Sequence, residues 1–306
     1  MDLSIITVSY NTRELLRGCL DSVFSSLGAR LNYEVIVVDN ASEDGSVAMI
    51  RDTFPRVRLI ENRENLGFAA SNNQALEQSR GQYVLLLNPD TVVMDGALES
   101  LMRLLEERRD VGVAGPRLVF PDGSFQHSAF TFPTLPMILL DFFPLHHRLL
   151  DSRVNGRYPR VLYERGEPFP IDHPLGAAMM VRRAVIDEVG FLDEGYFMYC
   201  EEIDWCMRIK GSGWGVFCVP QAEIVHYAGE STRQHWNEMY VELHKSRYRL
   251  YGQHYDSSFR RIAGGLVALG VSWAALRARW AAKRGHLDGA ALERRLRAYR
   301  EIRSLS

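Results

Sequence analysis

Short, nearly unbroken apolar runs separated by stretches of helical spacing constrain this chain more than any other feature. LSIITV (residues 3–8), EVIVVD (34–39), VRLI (57–60), YVLLLN (83–88) and VGVAG (111–115) carry branched apolar side chains at successive positions, the pattern of strands covered on both faces. Between the first two, TRELLRGCLDSVFSS sets Leu16, Cys19, Leu20, Val23 and Phe24 at helical spacing, and DGALESLMRLLEE repeats the pattern before the last run. Such alternation predicts an α/β fold, a doubly wound, mostly parallel sheet with flanking helices. At 306 residues, 46% of them apolar, the chain can bury the core that such a sheet needs.

In a sheet of this kind ligands bind in the crevice beyond the carboxyl ends of the strands. Polar clusters fall at three such ends: SYN (9–11, with Ser9 and Asn11), DNASEDGS (39–46, opening on Asp39) and NPD (88–90, with Asn88 and Asp90). One competing reading treats these as ordinary loop and cap residues, with Asn11 or Thr12 capping the first helix and Ser42 the second. It accounts for one cluster and poorly for three that face the same cleft. No GxGxxG follows the first strand and no GxxxxGK[ST] occurs anywhere, so a dinucleotide dehydrogenase is disfavoured and a P-loop enzyme excluded. Without a glycine cradle or a P-loop lysine, a diphosphate is most simply neutralised by a divalent cation, for which Asp90 is the candidate ligand.

A formal net charge of −2 gives no overall pull toward nucleic acid. Cys19, Cys200, Cys206 and Cys218 lack CxxC spacing and sit at core-like positions, and the chain opens on a strand-like run without a basic and apolar leader. The expectation is a reduced, cytoplasmic protein with no cysteine-bound metal.

The ordered motifs VSYN, VVDNASEDGS, ENLGFAASNNQAL, LLLNPDTVV, GAAMMVRR, GFLDEGYFMYCEEIDWCMR and IVHYAGES resemble those of glycosyltransferase family 2, inverting enzymes of the GT-A fold, and its rhamnosyltransferase-like branch most of all. The resemblance covers roughly residues 3–250. It implies a GT-A domain over 1–255, with a nucleotide-binding half (1–120) and an acceptor and catalytic half (121–255), and leaves 256–306 as a C-terminal helical extension.

The resemblance also implies roles. Asp39 corresponds to the aspartate that contacts the base or ribose, with Ser9 and Asn11 bordering the pocket. Asn65, Gly67, Phe68 and Asn72 correspond to the loop and helix start that close around the nucleotide, Gly67 leaving room for the backbone to approach the ligand. Asn88 and Asp90 fall at the family's DxD-type motif, where Asn replaces the first acid, and His226 at the end of AEIVH completes the metal site. An imidazole among oxygen ligands favours Mn²⁺ somewhat over Mg²⁺. In EEID, Glu202 takes the place of the base that strips the acceptor hydroxyl proton, where the family more often has Asp. Glu201 and Asp204 are then candidates for orienting the acceptor or contacting the donor sugar. A structural alternative for these acids is dipole complementation in the first helical turn, with Asp204 and Arg208 as an i,i+4 pair. Asp193, together with Phe197 and Tyr199, shapes the wall between donor and acceptor, Arg208 is a further candidate for contacting donor sugar or acceptor, and Gly176 and Ala177 open a small-residue strand under the donor site.

Residues 125–170 are the least family-like, and the apolar, proline-interrupted FPTLPMILLDFFPLHHRLL within them is expected to recognise the acceptor, including any lipid part. Near residue 262 begins an apolar stretch of about fifteen residues flanked by arginines, shorter than the roughly 20 a bilayer span needs. This stretch reads either as an interfacial helix on anionic lipid or as a helix packed on the domain or in a homodimer. The function expected is transfer of a sugar, plausibly L-rhamnose from dTDP-L-rhamnose, to a glycan or polyprenyl-linked acceptor in cell-wall or surface polysaccharide synthesis. The alternatives are a UDP-sugar-dependent transferase of the same family and a silent nucleotide-sugar-binding scaffold.

Overall fold

The computed structural model describes residues 1–27, 31–228 and 236–305. The chain forms two compact units, the first from residues 1–131, 158–197 and 201–231, the second from 132–157, 198–200 and 232–306. In chain order the first unit begins with β1 (Leu3–Ser9), α1 (Arg13–Ser26), β2 (Tyr33–Asp39), α2 (Ser46–Thr53), β3 (Arg58–Glu61) and α3 (Phe68–Gln78). It continues with β4 (Tyr83–Leu87), β5 (Thr91–Val93), α4 (Ala97–Glu107), β6 (Val111–Val119), β7 (Phe125–Gln126) and β8 (Ala129–Phe130). The second unit takes α5 (Leu135–Phe142) and α6 (His147–Leu150). The chain then returns to the first with α7 (Arg160–Glu164), β9 (Phe169–Pro170), β10 (His173–Pro174), β11 (Ala178–Arg182), α8 (Arg183–Val189), α9 (Glu201–Gly211) and β12 (Gly215–His226). Helices α10 (Trp236–His254), α11 (Ser257–Lys283) and α12 (Gly289–Ser304) complete the second unit.

The main sheet runs β3-β2-β1-β4-β11-β6-β12-β5, with β7 on β6 and β9 on β12; β8 and β10 form a separate pair. Strands β1 to β4 pair in parallel, as the unbroken apolar runs predict. Ile5, Ile36, Val37, Leu85 and Leu86 are at most 2% exposed, because helices cover both faces of these strands. The VRLI run is the exception: β3 is the sheet edge and its residues are half-buried or exposed. In the GAAMM motif only residues from Ala178 onward are strand, and β11 runs antiparallel to both β4 and β6. Reversing one strand in this way brings the turn before β11 to the same end of the sheet as the loops after β1, β2 and β4.

In the second unit α5 packs on α11. A Cβ on Gly270 would collide with the Phe142 ring, so the glycine lets the two helices approach closely. The other side of Phe142 stacks on His244, with ring centroids 5.8 Å apart, and Arg247 pairs with Asp141 at 2.7 Å. The boundary expected near residue 255 therefore does not coincide with the edge of a compact unit, since the apolar face of α5 is buried with the C-terminal helices. Ile138, Leu140 and Phe142, from the segment expected to meet the acceptor, are buried. Helix α11 is 27 residues long, and by length and composition it is long and apolar enough to cross a membrane. The shorter estimate from sequence counted only the apolar run and missed the arginine-bearing turns that continue the helix.

Candidate active site

The site assembles in the first unit where β1, β2 and β4 end. Ser9 and Asp39 are register partners, so the two strands finish level and their following loops lie side by side. The loops are latched by side chains: the Asn11 N–H donates to Ser42 Oγ (2.9 Å) and the Glu43 N–H to Asn11 Oδ1 (2.8 Å). Asn11 adopts a left-handed conformation, φ 52°, which Asn tolerates better than most residues. Neither Asn11 nor Thr12 caps α1, and Ser42 does not cap α2; the Thr12 hydroxyl lies 2.9 Å from that of Ser9. Capping falls instead to Asp44 of the second cluster, which accepts the Arg13 N–H at the start of α1 (2.8 Å) and the Ser46 N–H at the start of α2 (3.0 Å), so the helix-cap reading holds for that residue and not for Asn11, Thr12 or Ser42. Asp39 is 2% exposed; its Oδ2 accepts the Ser42 N–H, and its Oδ1 is buried with no hydrogen-bond partner in the protein. A buried carboxylate oxygen left open in this way calls for a ligand donor.

Beside Asp39, Asn40 organises the loop before α3, a role the sequence reading did not assign. Its Oδ1 accepts from Asn62 Nδ2 (2.8 Å) and Ser71 Oγ (2.7 Å), and its Nδ2 donates to Asn65 Oδ1 and the Gly67 carbonyl (3.2 Å each). Asn65 spends its side-chain oxygen on Asn40 and on the Gly67 N–H. Asn72 is buried and donates to the Phe68 carbonyl one turn back. Gly67 has a requirement for glycine beyond ligand approach. With φ 83° and ψ −176° it occupies backbone space closed to other residues, and an added Cβ would collide with the Phe197 carbonyl and lie 2.7 Å from its ring. The Phe68 N–H donates to that same carbonyl at 2.7 Å.

Asp90 and His226 are brought together by antiparallel pairing of β5 with β12, in which Thr91 faces His226 and the Tyr227 N–H donates to the Asp90 carbonyl at 3.0 Å. His226 Nε2 lies 3.6 Å from Asp90 Oδ1. Its other nitrogen, Nδ1, lies 3.1 Å from Gln126 Oε1, an acceptor that suits the tautomer with the proton on Nδ1. Burial lowers the His226 pKa, opposed in part by the Asp90 charge. The Nε2 lone pair therefore points toward a carboxylate, the tautomer of a metal-ligating histidine with an outer hydrogen-bond partner. Gln126, on β7, was missed because its partner lies 100 residues away. Two ligands 3.6 Å apart can share one cation at about 2.1 Å each. Among the described residues no group of three or more His, Cys, Asp or Glu side chains could hold a metal, so phosphate oxygens and water would complete the coordination, the usual arrangement for Mg²⁺ with a nucleotide. The cysteines are buried, and burial pushes the Cys19 and Cys218 thiols up to about 12, far from thiolate chemistry.

A continuous path runs from this pair to the acids of α9. The Asn88 N–H donates to the Ala177 carbonyl at 2.9 Å, and Asn88 Oδ1 is buried without a hydrogen-bond partner. Next to Ala177, Gly176 presents its bare face to Glu202, whose carboxyl carbon would lie 3.5 Å from an added Cβ. Glu202 is half-buried, and burial pushes its carboxyl up to about 7. Glu201 is 5% exposed, its Oε2 has no hydrogen-bond partner, and burial together with the neighbouring Glu202 raises its pKa well above the ordinary carboxylate range. The two residues before α9, Tyr199 (φ 70°) and Cys200 (φ 67°), are both left-handed, a rare conformation for side chains of that size.

Asp204 and Arg208 are not turned to this chemistry. Asp204, 2% exposed, accepts from Arg208 Nε at 2.9 Å, while Arg208 also donates to the Val189 and Phe191 carbonyls. The i,i+4 reading is the correct one, and the pair ties α9 to the turn after α8. The Asp193 carboxylate accepts the Gly195 N–H and shapes that turn. Tyr199 belongs to the second unit. The last three residues of the IVHYAGES motif lie outside the described residues.

Residues 4–190 match the family model described as glycosyl transferase family 2. The chain is 30% identical over 264 residues to an N-acetylglucosaminyl-diphospho-decaprenol L-rhamnosyltransferase of Mycobacterium tuberculosis, covering 80% of this chain and 82% of that protein. It is 24% identical over 263 residues to the rhamnosyltransferase WbbL of Escherichia coli, covering 80% and 90%. Among solved structures, a mannosyltransferase from Pyrobaculum calidifontis in complex with GDP-mannose and Mn²⁺ superposes with a TM-score of 0.59 at 18% identity, over 99% of this chain and 83% of that one. The fold is that of the GT-A glycosyltransferases.

Proposed function

This chain belongs to glycosyltransferase family 2, and from that premise and the geometry of its site we propose that it is an inverting, divalent-cation-dependent transferase acting in cell-wall or surface polysaccharide synthesis. Its donor is dTDP-L-rhamnose and its acceptor a glycan carried on a polyprenyl diphosphate. The donor and acceptor classes are supported by likeness to the two rhamnosyltransferases, one of them named for a polyprenyl-linked N-acetylglucosamine substrate.

The observation that carries the reading is the connected path from the Asp90 and His226 pair, through Asn88, Ala177 and Gly176, to a carboxylate whose pKa is about 7. Asp39, with its open Oδ1, receives a donor group of the nucleoside. Asp90 and His226 would hold the cation, which when bound would neutralise the donor's diphosphate. Glu202, ionised above pH 7, takes the proton of the acceptor hydroxyl. That oxygen bonds to the anomeric carbon as the bond from carbon to diphosphate breaks, and the electron pair leaves with the nucleoside diphosphate. A single displacement inverts the anomeric centre. Burial and the neighbouring Glu202 raise the Glu201 pKa, which disfavours a second negative charge beside the base.

The test is a donor screen of the purified chain with dTDP-L-rhamnose, UDP-glucose, UDP-galactose, UDP-N-acetylglucosamine and GDP-mannose, on a polyprenyl-diphosphate-linked N-acetylglucosamine acceptor, with the product linkage assigned by NMR. Rhamnosyl transfer with the anomeric configuration opposite to the donor's supports the proposal. Transfer from a UDP-sugar alone would replace the donor, and retention of configuration would overturn the mechanism.

A further inference from the structure

Helix α11 has two unlike faces. Ala263, Val267, Gly270, Val271 and Ala278 are buried, on the side that packs with α5 and α12. The other side carries Ile262, Leu266, Leu269, Trp273, Leu276 and Trp280, alternately four and three residues apart, so they line up along one stripe. Ile262, Leu269, Trp273, Leu276 and Trp280 are 45–60% exposed. From Ile262 to Trp280 the stripe runs roughly 27 Å at the helical rise, far more apolar surface than scattered exposed side chains provide.

Within residues 257–287 the charges are all of one sign. Arg260 and Arg261 flank its start, Arg277, Arg279, Lys283 and Arg284 its end, and all six are exposed. No acidic residue occurs between 257 and 287, and residues 257–304 hold eleven Lys and Arg against three Asp and Glu in a chain whose net charge is −2. We propose that this face of α11 is a docking surface for an anionic lipid bilayer, with Trp273, Trp280 and the leucines in the headgroup boundary and the arginines on lipid phosphates. The combination of an apolar stripe with tryptophans and basic flanks is what an in-plane interfacial helix requires.

Charge complementarity selects this occupant over a second copy of the chain. An antiparallel pair would set Arg260 and Arg261 against Arg277, Arg279, Lys283 and Arg284, with Asp256 at the helix start as the nearest acid, and a parallel pair would set each cluster against itself, so like charges dominate either seam. Packing selects lying over crossing, although the helix is long enough to span. Its small-residue face is committed to α5 and α12, with Gly270 fitted to the Phe142 ring, and a spanning helix would have to give up those contacts. The inference uses none of the catalytic residues and stands or falls separately from the proposed reaction.

Flotation of the full chain with vesicles tests it. The chain is expected to float with 7:3 phosphatidylcholine–phosphatidylglycerol vesicles and not with phosphatidylcholine alone, and to be released by high salt. Trp273→Ala/Trp280→Ala and Arg277→Glu/Arg279→Glu are each expected to lower partitioning about tenfold or more. All four positions are exposed, so circular-dichroism melting should show unchanged folding. Flotation indifferent to phosphatidylglycerol, unaltered binding by either double variant, or a dimer in sedimentation velocity that dissociates in Trp273→Ala/Trp280→Ala would overturn the proposal.

Discussion

Replacing Glu202 by Gln should stop the reaction and make the protein more stable. Burial moves the Glu202 pKa from 4.5 in the unfolded chain to about 7 in the native one, so the native state binds more protons than the unfolded state between those values. The contribution of Glu202 to stability is therefore greatest below pH 4.5 and falls as pH rises through 7. At 1.36 kcal/mol per pKa unit, the ionised carboxylate costs about 3 kcal/mol at pH 8 and about 1 kcal/mol at pH 5.5. Glutamine has nearly the same volume, stays neutral and fits against Gly176, so Glu202→Gln removes most of that cost. Urea unfolding at the two pH values should show the variant ahead by about 3 kcal/mol at pH 8 and by about 1 kcal/mol at pH 5.5. Calorimetry should find donor binding retained, and a transfer assay should find turnover reduced by at least about 100-fold. A stability gain independent of pH, or a loss at pH 8, would refute the assignment of Glu202 as a carboxylate held in a costly environment for use as a base.

The remaining predictions concern other parts of the molecule. For the wild type, kcat/KM should rise with pH to a plateau above about 7, as the base loses its proton, and a profile flat from pH 5 to 8 would contradict that. Gln126→Leu should weaken Mn²⁺ binding in the presence of nucleotide by about 10–100-fold while leaving the fold intact, because it frees the His226 ring; unchanged affinity in calorimetry would contradict the tautomer argument. Gly67→Ala should cost about 2–5 kcal/mol in urea unfolding, from backbone conformation and collision with Phe197 together, and a near-neutral result would contradict the close approach. His244, held neutral by burial down to about pH 3, binds a proton only in the unfolded state between pH 6.5 and 3, so stability falls as pH drops through that range. His244→Gln should flatten the slope by about 1 kcal/mol per pH unit between pH 6 and 4, and equal slopes would contradict its burial as the neutral form.

How much of this was legible in the sequence follows from the range over which each signal acts. The parallel strands and helices α1 and α4 were visible because branched runs and helical spacing are local, and the Asp204 and Arg208 pair because its partners are one helical turn apart. The direction of β11 was not, since GAAMM reads alike in either sense and pairs with strands roughly 70 to 95 residues before it. The polar clusters stand where β1, β2 and β4 end, as their position in the sequence suggests, yet the work of Asn40 and Gln126 was hidden because hydrogen bonds to residues 22 to 100 positions away leave no spacing to read. The approach of Phe197 to Gly67 was hidden as well, because only the fold brings the two together. The division of the chain eluded the sequence for the same reason: the burial of α5 with α11 depends on Gly270 facing Phe142, a contact 128 residues apart.

The most direct test of the central claim is calorimetric titration of dTDP-L-rhamnose into the wild type and into Asp90→Ala, each with Mn²⁺, Mg²⁺ or EDTA. The account predicts binding to the wild type that needs the cation, and loss of that cation-dependent binding in Asp90→Ala. Equal binding by both proteins, with or without EDTA, would contradict a cation held by Asp90 and His226 at the donor diphosphate.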